Sequence, residues 1–176
     1  MGPSLRKQTH QPPQVILLGL DSAGKSTLLY RLHQGVIMET VPTIGFNIVN
    51  LKLDKKSVLT VWDVGGHESM RSNWKYYLEG CKALVYVVDA SDHSRINEAK
   101  MALNIILSDH NLKDVPLMVL ANKTDMQNSM TINDVSSGLD LKSCTNRDWE
   151  IQACSALQGL GLHQAFQSVA KMITKK

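Results

Sequence analysis

Aromatic side chains make up only 5% of this 176-residue chain, and it holds just three cysteines and five prolines. Each scarcity excludes something. Cys81, Cys144 and Cys154 are odd in number, far apart and without C-x-x-C spacing, so they form neither a disulfide framework nor a zinc site and read as reduced structural thiols. No apolar run approaches the ~18–20 residues that span a bilayer, and the first residues are polar, so neither a transmembrane helix nor a secretory signal is expected. A cytoplasmic protein is the expectation. Charge of one sign is also lacking: the net charge is +3, and Arg6, Lys7, Lys171, Lys175 and Lys176 hold five of the 19 basic residues at the two ends. Between them 14 basic side chains face all 16 acids, a net of −2, which offers no nucleic-acid face. The basic ends could be drawn only weakly to an anionic membrane.

What remains is ordinary for a soluble globular protein, with 43% apolar and 20% charged residues. The length suits one domain, since ~100–150 residues is the commonest domain size. Residues 1–13 carry three prolines and almost no bulky apolar side chains, so they are expected to form a flexible N-terminal tail, with 14–176 as a single domain. Gly2 raises the question of N-acylation. The M-G-x-x-x-[ST] pattern wants Ser or Thr where this chain has Arg6, and Pro3 follows Gly2 directly, so the signal is incomplete.

The stretch around which the rest is organised is Gly19-Leu20-Asp21-Ser22-Ala23-Gly24-Lys25-Ser26, which fits G-x-x-x-x-G-K-[ST]. It leaves an apolar run, Val15 to Leu18, that reads as a buried strand, and enters Thr27 to Leu32, which reads as a helix. Glycines let the backbone turn so that successive N–H groups converge on anionic oxygens, and the new helix adds its positive end. Lys25 would reach the terminal phosphates and the Ser26 hydroxyl would take Mg²⁺.

Ile48 to Leu53 and Val58 to Asp63 are joined by a short polar turn and read as an antiparallel hairpin. Apolar residues fall at Phe46 and Ile48, then at Leu51 and Leu53, so the alternation changes phase near Val49-Asn50. That pattern leaves open a bulge or a weakly specified register. Further strands are expected at 83–88, 117–121 and 149–154. Between them Ile96, Ala99, Leu103, Ile106 and Leu107 mark one helix face, and Leu162, Ala165, Phe166, Val169 and Ile173 another. Thr131 to Asp134 resembles a capping box. Strands apolar throughout, alternating with amphipathic helices, predict an α/β doubly wound, mostly parallel six-stranded sheet with helices on both faces and a ligand at the carboxyl ends of the strands.

The remaining motifs fall at those ends. Asp63-Val64-Gly65-Gly66 follows one strand, where a carboxylate can hold Mg²⁺ through water and the Gly66 N–H can face the last phosphate. Asn122-Lys123-Thr124-Asp125 follows another. A carboxylate that accepts from the N1–H and exocyclic amine of guanine rejects adenine, which presents the opposite pattern and would leave the acid unpaired. Ser155-Ala156, after the last strand, would complete the base pocket.

Together the phosphate loop, Pro42-Thr43-Ile44-Gly45-Phe46-Asn47, Trp62-Asp63-Val64-Gly65-Gly66 and Asn122-Lys123-x-Asp125, in this order and spacing, resemble a small GTPase of the ADP-ribosylation factor and ARF-like family over residues 14–173. The resemblance implies a P-loop NTPase G domain binding GTP or GDP with Mg²⁺. Nucleotide contacts would come from Asp21, Ser22, Ala23, Gly24, Lys25, Ser26, Thr27, Thr43, Asp63, Gly66, Asn122, Lys123, Asp125, Ser155 and Ala156, with Ser26 and Thr43 on the metal. It implies switch I at about residues 37–47 and switch II at about 63–78, and an aromatic triad of Phe46, Trp62 and Tyr77 shown to effectors. A guanine-exchange factor and a GTPase-activating protein would be further partners, and a monomer is expected. The family also slides the hairpin between its switches on activation, which would give the phase change at Val49-Asn50 a meaning.

Two departures stand out. Where the family usually has Gln after Asp-Val-Gly-Gly, this chain has His67. A carboxamide can donate to the γ-phosphate and accept from the attacking water at once, whereas imidazole has its donor and acceptor on opposite sides of a ring. Hydrolysis assisted by Lys25, Gly66 and His67 is therefore expected to be slow, and no arginine finger in cis stands out. The second departure is the tail. Family members latch to membranes with a myristoylated amphipathic N-terminal helix, but residues 2–13 have Leu5 as their one bulky apolar residue, so attachment to endomembranes by this route is disfavoured. The expected function is a slow GTPase switch in membrane traffic or related regulation. The competing readings are a persistently GTP-loaded scaffold and a phosphate-loop nucleotide kinase, the latter disfavoured because Asn-Lys-x-Asp has no use there.

Overall fold

The computed structural model describes residues 11–34 and 45–175. Thr43, most of the expected switch I and residues 1–10 of the tail lie outside them. The order is β1 (Gln14–Gly19), α1 (Lys25–Gln34), β2 (Phe46–Lys52), β3 (Val58–Val64), α2 (Glu68–Arg71), β4 (Cys81–Asp89), α3 (Ile96–Leu107), β5 (Leu117–Asn122), α4 (Ile132–Leu139), β6 (Trp149–Ala153) and α5 (Leu162–Thr174), with short 3₁₀ turns between. One six-stranded sheet runs β2-β3-β1-β4-β5-β6. All neighbours are parallel except β2, which pairs antiparallel with β3. Among the described residues no helix is long and apolar enough to cross a membrane.

β1 is buried almost from end to end because both faces are covered, and its alternate side chains feed two cores. Ile16 and Leu18 join Leu84, Tyr86 and Val119 against Ala99, Leu103 and Ile106 of α3 and Val135 and Leu139 of α4. Val15 and Leu17 join Val85, Val87 and Leu120 against Leu28 and Leu29 of α1 and Phe166 and Val169 of α5. The chain winds to one side of β1 through β2 and β3, then crosses to β4 on the other. The carboxyl end of β1 is therefore where the winding reverses, and ligands of such sheets bind there. The expected capping box is present: Asp134 N–H donates to Thr131 Oγ1 and Thr131 N–H to Asp134 Oδ2, each at 3.1 Å.

The hairpin has neither of the irregularities considered for it. Its register runs unbroken from Phe46 opposite Val64 to Lys52 opposite Val58. The two apolar phases are the two faces of one strand. Leu51 and Leu53, with Val49 half-buried, enter the core under α1 and α5. Phe46 and Ile48 point to the opposite face, where no helix among the described residues covers the edge, and remain 45% and 48% exposed.

Candidate functional site

The phosphate loop leaves β1 and is shaped by its backbone. Gly24 has φ of +95°, and a Cβ there would collide with the Asn122 side-chain amide. Lys25 folds back over the loop, its ammonium donating to the carbonyls of Gly19 at 3.0 Å and Leu20 at 3.2 Å. Only 7% of it is exposed, and burial pulls its pKa down to about 8, with the Asp63 and Asp21 carboxylates working against that fall. Such a lysine is held ready for an anion, which would restore the charge it struggles to keep.

Asp63, at the end of β3, accepts from the Ser26 hydroxyl at 2.5 Å. A hydroxyl and a carboxylate converging beside a glycine loop are hard oxygen donors of the kind Mg²⁺ takes, alongside water and phosphate. Gly66 lies against the same loop. Its carbonyl accepts from Asp21 N–H at 3.1 Å, and a Cβ on it would strike the Gly19 carbonyl and come within 2.6 Å of the Lys25 ammonium. Only glycine lets this backbone approach so closely.

The base side is assembled from three strand ends. Buried Asn122 donates to Ala23 O at 2.9 Å and accepts from Ala156 N–H at 3.0 Å, tying the phosphate loop to the loop after β6. Lys123, in a left-handed conformation at φ +66°, donates to Ser22 O at 2.7 Å and to Asp89 Oδ2 at 2.8 Å. Burial works to raise the Asp89 carboxyl, but hydrogen bonds from Lys123 and Ser91 outweigh it and leave it below the ordinary range. Asp125 accepts from the Ser155 hydroxyl at 2.7 Å. A cavity of about 190 Å³ opens between these groups, lined by Gly24, Thr27, Asn122, Lys123, Asp125 and Ala156 and closed by Met126 and Leu157.

His67 stands at the start of α2. It is the N-cap of α2, its Nδ1 accepting the Ser69 N–H at 3.3 Å and meeting the Ser69 hydroxyl at 2.8 Å. With its Nδ1 edge turned to Ser69, the ring has Nε2 alone facing outward, and one ring nitrogen can donate or accept but not do both at once. The expected aromatic triad does assemble: Phe46 stacks on Trp62 at 5.2 Å between ring centres, with Tyr77 at 5.4 Å from Phe46 and 6.3 Å from Trp62.

The chain matches the ADP-ribosylation factor family over residues 4–173. It belongs to that family. ADP-ribosylation factor J of Dictyostelium discoideum is 41% identical over 163 residues, 93% of this chain and 86% of that one. ADP-ribosylation factor-like protein 14 of Mus musculus is 41% identical over 169 residues, 95% of this chain and 86% of that one. The Arl6 BBS3 small GTPase of Trypanosoma brucei, solved with the nucleotide analogue GppNp, superposes with a TM-score of 0.86 at 26% identity, covering 94% of this chain and 99% of that one. As a family member the chain is a guanine-nucleotide-binding molecular switch of P-loop fold, with GTP or GDP and Mg²⁺ as cofactors and GTP hydrolysis as its class of reaction.

Several residues at this ARF-family site carry no motif. Asp89 was visible only as a polar residue ending an apolar strand. Met126 and Leu157 adjoin the two base motifs, a position that could have suggested walls for a flat ring. Arg71, Arg95 and Glu98 gave no signal, because they meet Asp21 only through the fold: Arg71 Nη2 at 3.1 Å and Arg95 Nη2 at 2.7 Å from Asp21 Oδ1, with Glu98 accepting from both arginines at 2.9 Å. Two cis arginines therefore stand beside the phosphate loop where the sequence suggested none.

Proposed function

We propose that the chain is an ARF-like switch whose hydrolysis of GTP is slow unaided and depends on an activating protein. The observation that carries this is the capped imidazole of His67. With Nδ1 committed to Ser69, the ring has only Nε2 left, which can donate to a γ-phosphate or accept from the attacking water but not do both at once, as a glutamine carboxamide does. Lys25 and the Gly66 N–H would stabilise charge on the terminal phosphates, while Ser26 and Thr43 hold Mg²⁺ with Asp63 behind them. A metal held by these residues would supply positive charge against the terminal phosphates.

Asp125, with Asn122, Lys123, Ser155 and Ala156, would select guanine, and Asp21, Ser22, Ala23, Gly24 and Thr27 would carry the phosphates and ribose side. Exchange factor, activating protein and effector would meet a monomer at the two switches and at Phe46, Trp62 and Tyr77. Kinship supports a role in membrane traffic or related regulation, from the cytoplasm or peripherally on endomembranes.

The same imidazole favours a second reading, an adaptor that stays loaded with GTP and scarcely turns over. One experiment addresses both: identify the nucleotide that co-purifies, then follow single-turnover hydrolysis of GTP. Bound GTP that decays over minutes to hours supports the slow switch. Bound GTP that does not decay, even with an activating protein of the family, supports the adaptor. Bound GDP with brisk unaided turnover would mean that His67 positions water after all.

A further inference from the structure

The phosphate loop carries a carboxylate, Asp21, of the same sign as the phosphates it is read to hold. Asp21 sits between Gly19 and Gly24, its N–H bonded to the Gly66 carbonyl, and Gly66 packs over the Lys25 ammonium. On the reading above, Lys25 and Gly66 face the terminal phosphate. Asp21 then lies beside the position where GTP carries the charge that GDP lacks. An unmatched negative charge there would oppose GTP more than GDP.

The charge is matched, from two separate elements. Arg71 of α2 and Arg95, which precedes α3, both reach Asp21 Oδ1, and Arg95 Nη1 also donates to the Asp21 carbonyl at 3.0 Å. Arg71 Nε donates to the same Gly66 carbonyl at 3.0 Å. Glu98 holds the two guanidiniums in place, so two cations and two anions balance to zero. The side chains are 15% exposed at Arg71, 29% at Arg95 and 39% at Asp21 and Glu98, which keeps the group partly shielded from solvent screening. Hydrogen bonding to Arg95 is the main reason that the Asp21 carboxyl is held below its ordinary value, so the balance holds across physiological pH.

We propose that Arg71 and Arg95 are positioning residues that determine the preference between guanosine triphosphate and diphosphate by neutralising Asp21. Removing either arginine leaves a net charge of −1 next to the γ-phosphate position. Removing the carboxylate instead makes the arginines available to the phosphate. The proposal rests on the guanine-nucleotide reading of the same site.

The test compares the affinities of GppNp and GDP, measured by fluorescence with Mg²⁺ present, for the parent, Arg95→Gln, Arg71→Gln, Asp21→Asn and the double variant Asp21→Asn/Arg95→Gln. Each glutamine variant is expected to weaken GppNp about ten-fold more than GDP, the scale of one charge added at a partly solvated site. Raising the salt to about 1 M should shrink that difference only in part, because the group is partly shielded. In the double variant the ratio should return to the parent's or favour GppNp. Should one arginine variant fail to fold, the other acts on the same carboxylate from a different element. Equal losses for both nucleotides, or a loss that Asp21→Asn does not rescue, would show that the arginines merely brace the fold and would overturn the proposal. Failure of the parent to bind either nucleotide would instead overturn the function on which it rests.

Discussion

Asn122 and Ala23, 99 residues apart in sequence, are joined by a hydrogen bond of 2.9 Å in which the side-chain amide donates to the loop carbonyl. The other end of the same carboxamide accepts from Ala156 N–H at 3.0 Å. One buried side chain thus fixes the phosphate loop against the loop that follows β6, and the cavity lies between them. Asn122→Ala strands a buried carbonyl and a buried N–H together. The expected cost is about 2–4 kcal/mol, since each unsatisfied buried group costs about 1–3 kcal/mol and the two relax in part. Nucleotide-free thermal unfolding should report that loss, and nucleotide dissociation should accelerate in parallel. An Asn122→Ala protein that unfolds at the parent's temperature would show that the two loops are held by other means.

Lys25 makes nucleotide binding depend on pH. Its folded value, about 8, lies below the ordinary 10.5 because it is buried. A lysine depressed on folding penalises the charged form, so the unfolded chain binds more protons between those values and the nucleotide-free protein gains stability as pH rises through that window. The strain below it is on the order of 3 kcal/mol, at about 1.4 kcal/mol per pKa unit. Phosphates bring the opposite charge and should lift the lysine back, so binding above about pH 8 takes up a proton. Titration calorimetry in buffers of differing ionisation heat should therefore detect proton uptake on GDP binding, and affinity should fall as pH rises. Binding that neither takes up protons nor weakens would mean that Lys25 keeps its charge in the empty site.

Sequence revealed the frame of this site better than its interior. The strands flanking the phosphate loop could be placed because parallel strands buried on both faces are apolar throughout, as Val15 to Leu18 are. The two apolar phases of β2 could not be resolved, because a single edge strand that packs Leu51 and Leu53 on one face and shows Phe46 and Ile48 on the other looks, as a string, like a slipped register. Residues that act within a few positions of one another, such as Thr131 and Asp134, leave a local pattern. The Asp21, Arg71, Arg95 and Glu98 group leaves none, since its members come from three parts of the chain and charged residues at such spacing ordinarily decorate a surface. His67 is the instructive mixture. Its departure from the glutamine expected at that position was legible, but its commitment to Ser69 was not, although a polar residue just before Glu68 and Ser69 is a recognisable start of a helix.

That commitment shapes the last prediction. His67→Gln replaces a ring fixed by Ser69 with a longer, unbranched carboxamide able to donate and accept at one end. Two effects should follow, with opposite signs. Loss of the cap frees the first turn of α2, a helix of four residues with none of them buried, at a cost near ~1 kcal/mol that falls on switch II rather than on the core. Hydrolysis stimulated by an activating protein should rise by at least ten-fold, because general positioning of water and phosphate by such a side chain is worth about 10²–10⁴ when fully realised. A single-turnover assay with and without the activating protein separates these effects from nucleotide affinity, which should change little. Ser69→Ala, which removes the hydroxyl contact and leaves His67 in place, completes the comparison. If it speeds hydrolysis as much as His67→Gln does, the hold of the Ser69 hydroxyl on the ring, and not the chemistry of imidazole, is what slows the parent. If neither variant gains, water positioning is not the slow step of this switch.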